Sequence, residues 1–215
     1  MNKEAKILGL IALVVIAVAA IFVFKKGPVP VPPGVPLDSK NLVRDTSHMT
    51  GKKDAKVTLI EFGDYECPAC KAAEPILEQI LNTYKSNPNF NFVFRNFPLT
   101  EIHPYAEISA EATEAAAAQG KFWEMHNLLY EKQTEWVVPQ AEQHIVQYAK
   151  DLGLDVAKFQ QALTDKTYSQ IVQTDRADGD ALQVNATPTF FLNGKAIVGA
   201  PTLDNLKSQI DEALK

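Results

Sequence analysis

Two cysteines are the whole thiol complement of this 215-residue chain, and they stand together as Cys67-Pro68-Ala69-Cys70. Residues three apart in the first turn of a helix share a face, so two sulfurs at this spacing can close a small disulfide ring and open it again. The chemistry that follows is thiol–disulfide exchange, in which a thiolate attacks a disulfide and a mixed disulfide forms and is resolved. Cys67 is the expected attacking thiolate and Cys70, behind it, the resolving thiol. Three other readings are weaker. Zinc takes four ligands, normally a second CxxC or a paired histidine motif, whereas His48, His103, His126 and His144 are scattered without ligand spacing. A copper-carrier reading lacks the methionine that would precede the pair. A purely structural disulfide constrains little across so short a loop. No metal and no organic cofactor is expected.

The elements that must position this pair lie on either side of it. Val57-Thr58-Leu59-Ile60-Glu61-Phe62-Gly63 reads as a short buried strand, with Glu61 on the same face as Leu59 and Gly63. A Gly-Asp turn follows, and Lys71 to Tyr84 has helical spacing at Ile76, Leu77, Ile80 and Leu81. The cysteines therefore sit where a strand hands over to a helix. Unpaired backbone N–H groups and the positive end of the helix dipole favour an anion there, and a thiolate is the reactive form of cysteine.

Phe90 to Phe97 alternates apolar with polar residues, a second strand. Strand, helix and strand make a parallel, right-handed βαβ unit. From Pro104 to about Val184 the pattern is helical, punctuated by Gly120, Pro139 and Gly153, with Trp123 and Trp136 expected in its core. His103-Pro104 reads as a structural cap to this block. Thr187 to Leu192 is an apolar strand that meets Asn193-Gly194, a strong hairpin signal, and is answered by Lys195 to Val198. A helix from Thr202 to Leu214 closes the chain. Leu37 to Lys56 is polar and weakly patterned, with a turn over Met49 to Asp54.

Ahead of all this, Ile7 to Phe24 is an uninterrupted apolar run, about 18 residues being the lower limit for a bilayer helix. Residues 1–26 are expected to form an uncleaved N-terminal transmembrane anchor. A cleavable signal peptide is the rival, but Ala17-Val18-Ala19 lies inside the apolar run rather than at its end. Residues 27–41 make a proline-rich spacer, and ten residues of GPVPVPPGVP in extended form span roughly 30 Å. Such a stretch can also dock SH3-type modules, though a spacer between anchor and domain explains it without a partner. Residues 1–26 carry +3, so the remainder carries −8 of the chain's net −5. An acidic globular part argues against nucleic-acid partners, whose affinity is mostly cationic contact with phosphate.

A bare CxxC is only moderately specific, and Thr187-Pro188 supplies the second element. A proline at the start of a strand running beside the motif strand cannot donate to the ladder, and X-Pro is the bond that readily turns cis. Facing the disulfide, it would leave the preceding backbone free to pair with an extended substrate chain. Taken together, Glu61-Phe62, Cys67-Pro68-Ala69-Cys70, Phe97-Pro98-Leu99 and Ala186 to Gly194 resemble the DsbA-like branch of the thioredoxin superfamily. The resemblance covers roughly residues 42–213.

It implies an α/β thioredoxin fold over 42–215 with a helical insertion at about 101–184. It also implies thiol–disulfide oxidoreductase activity, with oxidase as the leading role and isomerase or reductase open. The implied substrates are reduced or misfolded extracytoplasmic proteins, with re-oxidation by a membrane quinone-linked thiol oxidase. With the anchor, the expected location is the cytoplasmic membrane, single-pass, with the catalytic domain on the extracytoplasmic side. Glu61 matches the family's buried acid under the disulfide, a proton relay to Cys70. Pro68, Ala69, Thr187 and Pro188 are the residues expected against the substrate chain. Two features depart from many family oxidants. Ala69 offers only its backbone N–H, and Glu66 adds a negative charge beside Cys67 that opposes a second one. The expected Cys67 pKa is therefore lowered, but less than in the strongest oxidants. A tethered holdase using the Thr187-Pro188 groove without redox catalysis is the alternative from another class.

Overall fold

Alternating apolar residues at Val57, Leu59, Ile60 and Phe62 leave neither face of their strand polar, and both faces are indeed covered. In the computed structural model, residues 42–197 and 202–215 are described. The expected anchor at 1–26 and spacer at 27–41 lie outside them. Among the described residues no helix is long and apolar enough to cross a membrane.

The chain runs β1 (His48–Met49), β2 (Val57–Gly63), α1 (Pro68–Tyr84) and β3 (Phe90–Asn96). A helical block follows: α2 (Ala106–Ala117), α3 (Phe122–Glu131), α4 (Gln133–Trp136), α5 (Ala141–Asp151), α6 (Val156–Thr164) and α7 (Ser169–Ala181). Then come β4 (Thr189–Leu192), β5 (Lys195–Ile197) and α8 (Leu203–Leu214). The strands form one sheet in the order β1-β3-β2-β4-β5. β2 and β3 are parallel through α1, as the βαβ pattern predicts, and β4 lies antiparallel to β2 with Glu61 opposite Phe190. The Asn193-Gly194 hairpin forms, both residues taking positive φ of 48° and 79° as its tight turn requires.

One face of the sheet, with Leu59, Phe92, Phe94 and Phe190, packs on Cys70, Ala73, Leu77 and Ile80 of α1 and on Leu206 and Ile210 of α8. The same core continues into the helical block through Phe122, Leu129 and Trp136. Trp136 is fully buried, its indole N–H donating to the Leu129 carbonyl at 2.7 Å, while Trp123 is only partly buried. The other face, with Ile60, Phe62, Val93 and Phe191, holds a smaller core with Leu42, Leu182 and Val184. α7 covers it closely: a Cβ on Gly179 would meet the Phe97 ring at 2.5 Å.

Two details depart from the sequence reading. β3 is buried along its whole length, Asn91 and Arg95 included, because its polar residues find partners inside. The Asn91 side chain accepts from the Gly51 N–H at 2.9 Å. The polar stretch before β2 contains a strand, β1, which pairs antiparallel with β3 at His48 opposite Phe94. Two residues are too few to show a period. His48 is held there by its own side chain, which bonds Glu114 of α2 at 2.9 Å and stacks on Phe122.

Candidate active site

The turn between β2 and α1 is built by Asp64. Its Oδ1 accepts the Glu66 N–H at 2.8 Å, closing an Asx-type turn. Its Oδ2 accepts the Leu99 N–H at 2.9 Å and meets His103 Nδ1 at 2.7 Å. The loop after β3 is thereby fastened beside the cysteine pair; His103 serves this anchor rather than the helix cap expected of it, since Tyr105 is the N-cap of α2. Gln133, from the short helix α4, ties the turn down from the other side by donating to the carbonyls of Tyr65 and Cys67, at 2.8 and 3.0 Å.

Cys67 is the N-cap of α1, extended at φ −69° and ψ 121°, and Pro68 follows inside the helix, where a missing N–H costs nothing. The helix thus begins three residues earlier than Lys71 and runs through Pro75. Both cysteines are free thiols, Cys67 7% exposed and Cys70 fully buried, with Pro68 and Ala69 exposed between them. The Thr187–Pro188 peptide is cis, and the Cys67 Sγ donates to the Thr187 carbonyl at 3.3 Å. Cys67, Cys70, Pro68, Ala69, Thr187 and Pro188 are therefore brought together.

The electrostatics separate the two thiols. A hydrogen bond from the Cys70 thiol pulls the Cys67 pKa down from 9.0 to about 5. Burial opposes this, while the nearby Thr187 hydroxyl and the backbone N–H groups of Cys70 and Ala69 assist. Burial, the bond to Cys67 and the charges of Glu61 and Cys67 push Cys70 far up, so it stays a thiol. Glu66 does not oppose Cys67 as its sequence position suggests. Its carboxylate is turned onto the Tyr105 N–H at 2.6 Å, and burial raises its pKa. A neighbour in sequence is not a neighbour in space when a turn points it away.

Glu61 projects from β2 into the face that holds Cys70, fully buried, and neither carboxylate oxygen has a hydrogen-bond partner among the described residues. Burial foremost, then the charges of Glu74 and Cys67, raise its pKa well above that of a free carboxyl. A proton held there sits where one must be given or taken when Cys70 reacts. The close approach of Tyr130 over Gly63, where a Cβ would lie 3.0 Å from the hydroxyl, completes this wall. Sequence reasoning assigned no part in this site to Asp64, Gln133, Glu74 or Tyr130. Only Asp64 carried a local signal, the Gly-Asp turn.

The thiol pair sets a measurable pH window. The unfolded chain ionises Cys67 near 9.0 and the folded chain near 5. The reduced protein therefore binds fewer protons folded than unfolded across this interval, and its stability relative to the oxidised protein rises with pH. That gain is lost as pH falls through about 5. Thiolate absorbance of the reduced protein is expected to titrate with a midpoint near 5 and to vanish in Cys67→Ser. A midpoint above 8 would mean that the helix terminus does not hold the anion.

A family model described as thioredoxin matches residues 43–212. BdbD from Bacillus subtilis, in its oxidised form, is a similar solved structure: TM-score 0.69 and 28% identity over 78% of this chain and 92% of that one. The thiol-disulfide exchange protein alpha-DsbA2 from Wolbachia pipientis superposes with TM-score 0.70 at 22% identity, covering 81% of this chain and 90% of that one, a likeness of fold. Among curated proteins, a segment of Na(+)/H(+) antiporter NhaA 1 from Salinispora arenicola (strain CNS-205) is 38% identical over 169 residues. That match takes in 79% of this chain and 25% of the antiporter. The chain spans about a quarter of the length of the curated relatives it matches.

Proposed function

We propose that this chain, which belongs to the thioredoxin family as one of its DsbA-type thiol–disulfide oxidoreductases, works as a membrane-tethered oxidase of extracytoplasmic proteins. The observation that carries the oxidising direction is the place of the Cys67 sulfur at the N-cap of α1, where the hydrogen bond from the Cys70 thiol and the backbone N–H groups of Cys70 and Ala69 lower its pKa to about 5. A thiolate so stabilised favours the dithiol form over the disulfide, which makes the disulfide a good oxidant.

In the forward step a substrate thiolate attacks Cys67 of the Cys67–Cys70 disulfide. The sulfur–sulfur bond breaks, its electron pair goes to Cys70, and Glu61 supplies the proton that makes Cys70 a thiol. The substrate's second thiolate then attacks its own sulfur in the mixed disulfide and expels Cys67 as a thiolate. The substrate leaves two electrons poorer, and the enzyme holds the dithiol. Pro68, Ala69, Thr187 and Pro188 border the extended substrate strand. A membrane quinone-linked thiol oxidase returns the pair to the disulfide, and the anchor at 1–26 and the spacer at 27–41 keep the domain outside the cytoplasmic membrane within its reach. Antiporter activity is not carried over, because the matching segment is a quarter of those proteins.

Redox titration of the pair against glutathione tests the direction. A Cys67 pKa of about 5 lies between about 3.5 for the strongest oxidant of this type and about 7 for thioredoxin. The expected potential accordingly lies between about −120 and −200 mV. A value at or below about −270 mV, the range of a reductant, would overturn the oxidase reading.

A further inference from the structure

A nucleophile at an N-cap works only while its backbone aims the sulfur at the first N–H groups of the helix. The backbone of Cys67 is bonded at both ends. Its N–H donates to the Asp64 carbonyl at 3.1 Å, and its carbonyl accepts the Lys71 N–H at 3.2 Å and the Gln133 amide at 3.0 Å. Gln133 is buried, and the same amide nitrogen donates to the Tyr65 carbonyl at 2.8 Å. Both acceptors are carbonyls, so the nitrogen of this amide, not its oxygen, must face the turn. One side chain from α4 thus holds the residues on either side of Glu66.

Glu66 itself is held by a second helix. Its carboxylate accepts the Tyr105 N–H at 2.6 Å, and the Ala106 N–H assists. Tyr105 is the N-cap of α2 and gives that helix no side-chain cap of its own. Glu66 therefore does for α2 what Cys67 does for α1: each brings an acceptor to the unpaired N–H groups of a helix start. Tyr65 completes the attachment, its ring packed on Tyr130 and its hydroxyl 3.0 Å from His126 Nδ1, both of α3. Residues 65, 66 and 67 are tied in turn to α3, α2 and α4. By contrast α3, α5 and α7 start with no side-chain cap at all. Starting a helix in this chain does not require such fastening.

We infer that Gln133 and Glu66 are positioning residues that clamp the Tyr65–Cys67 turn to the helical block and so keep the Cys67 sulfur aimed at the N–H groups of Ala69 and Cys70. The inference rests on the exchange reaction proposed above and gives the helical block a part in it, that of setting how strongly the pair oxidises. Gln133 bonds the Cys67 peptide and Glu66 the start of α2, so both act on the sulfur through the turn. The two redox forms ask different things of that turn. The thiolate is held by the N–H groups, whereas a sulfur in the disulfide has no charge for them to hold. A loosened clamp therefore costs the dithiol form and leaves the disulfide form nearly as it was. Glu66 also carries charge, and its two effects have opposite signs. Removing a negative charge near Cys67 favours the thiolate, while releasing the turn disfavours it.

The experiment equilibrates full-length protein with reduced and oxidised glutathione and reads the dithiol fraction, alongside urea unfolding of each redox form. Gln133→Leu keeps much of the volume but has no donor. It is expected to shift the equilibrium about tenfold toward the disulfide, the scale of one net hydrogen bond and about 30 mV for a two-electron couple. Glu66→Ala should shift it the same way, and Glu66→Gln, which still accepts from the Tyr105 N–H, should restore the wild-type value. A merely structural contact lowers the urea midpoints of both forms alike and leaves the glutathione equilibrium unchanged, and that result overturns the clamp. So does a shift toward the dithiol shared by Glu66→Ala and Glu66→Gln, which would mean that Glu66 acts by charge alone. Should Gln133→Leu fail to fold, the two Glu66 variants still decide the sign. A wild-type potential in the reductant range overturns the oxidase reading, while the clamp stands or falls on the variants' shift from wild type.

Discussion

Serine in place of Cys67 is expected to abolish disulfide exchange with a reduced, unfolded protein, a fall of at least about a thousandfold, the scale of losing a nucleophile. A serine hydroxyl is neither ionised near neutrality nor able to form the mixed disulfide, so no detour through Cys70 is open. Cys70 is fully buried and its thiol is held protonated by burial and by Cys67. Cys70→Ser should behave differently. Cys67 still attacks, but nothing resolves the adduct, and the protein accumulates mixed disulfides with substrates, separable by non-reducing electrophoresis. The contrast also decides between catalysis and mere holding. A holdase using the surface beside Thr187 and Pro188 would bind unfolded chain and protect it from aggregation equally well with Cys67→Ser. Retained protection with no exchange activity in the wild-type protein would sink the catalytic reading.

A second large effect is expected far from the sulfurs. Arg95 of β3 is fully buried and donates to Asp175 at 2.7 Å, to Asp178 at 2.6 Å and to the Leu42 carbonyl at 2.9 Å. It also lies over the Phe62 ring, 5.5 Å from the centroid. Arg44 grips the outer side of Asp178. One guanidinium thereby joins α7, the second face of the sheet and the segment before β1. Arg95→Met keeps most of the volume but strips two buried carboxylates of a cation. The expected loss of stability at neutral pH is about 3–5 kcal/mol, measured by urea unfolding.

The sign of its pH dependence follows from Asp175. Burial raises this acid to about 6 even against Arg95's charge, and removing that charge raises it further. A carboxyl whose folded pKa exceeds its unfolded value of 3.8 holds a proton that the unfolded chain has lost. Stability therefore falls as pH rises through that interval and is regained as pH falls. The Arg95→Met deficit should shrink between pH 7 and pH 5, and Asp175→Asn in the same chain should recover part of it. A deficit under 1 kcal/mol at pH 7 would show that the pair is replaceable by packing alone.

The parts of the chain legible before any coordinates share a physical basis in local pattern. The βαβ unit follows from β-branched and aromatic runs on either side of helical spacing. The Asn193-Gly194 hairpin follows from turn chemistry that few residues can satisfy. The placement of Cys67 at a helix start follows from the proline after it and the apolar period beyond. Where expectation and molecule part, the deciding partner is distant in sequence. Glu66 was expected to weaken the Cys67 thiolate because it precedes it, yet its carboxylate faces Tyr105, 39 residues on. Strand β1 carries no period of its own and is paid for by Glu114 and Phe122, 66 and 74 residues away.

What the sequence by itself determined is the reactive pair, the strand and helix that present it, and the proline strand that comes to face it. Each depends on residue types and short spacings, which act through backbone geometry within a few residues. Only the tertiary structure decided how the pair is tuned and supplied with protons. Thr187 beside Cys67, Gln133 under the turn, and Glu61 and Tyr130 behind Cys70 come from separate elements. Their effect depends on distance and on exclusion from water. Neither quantity exists until the sheet, α1 and the helical block close around the same few atoms.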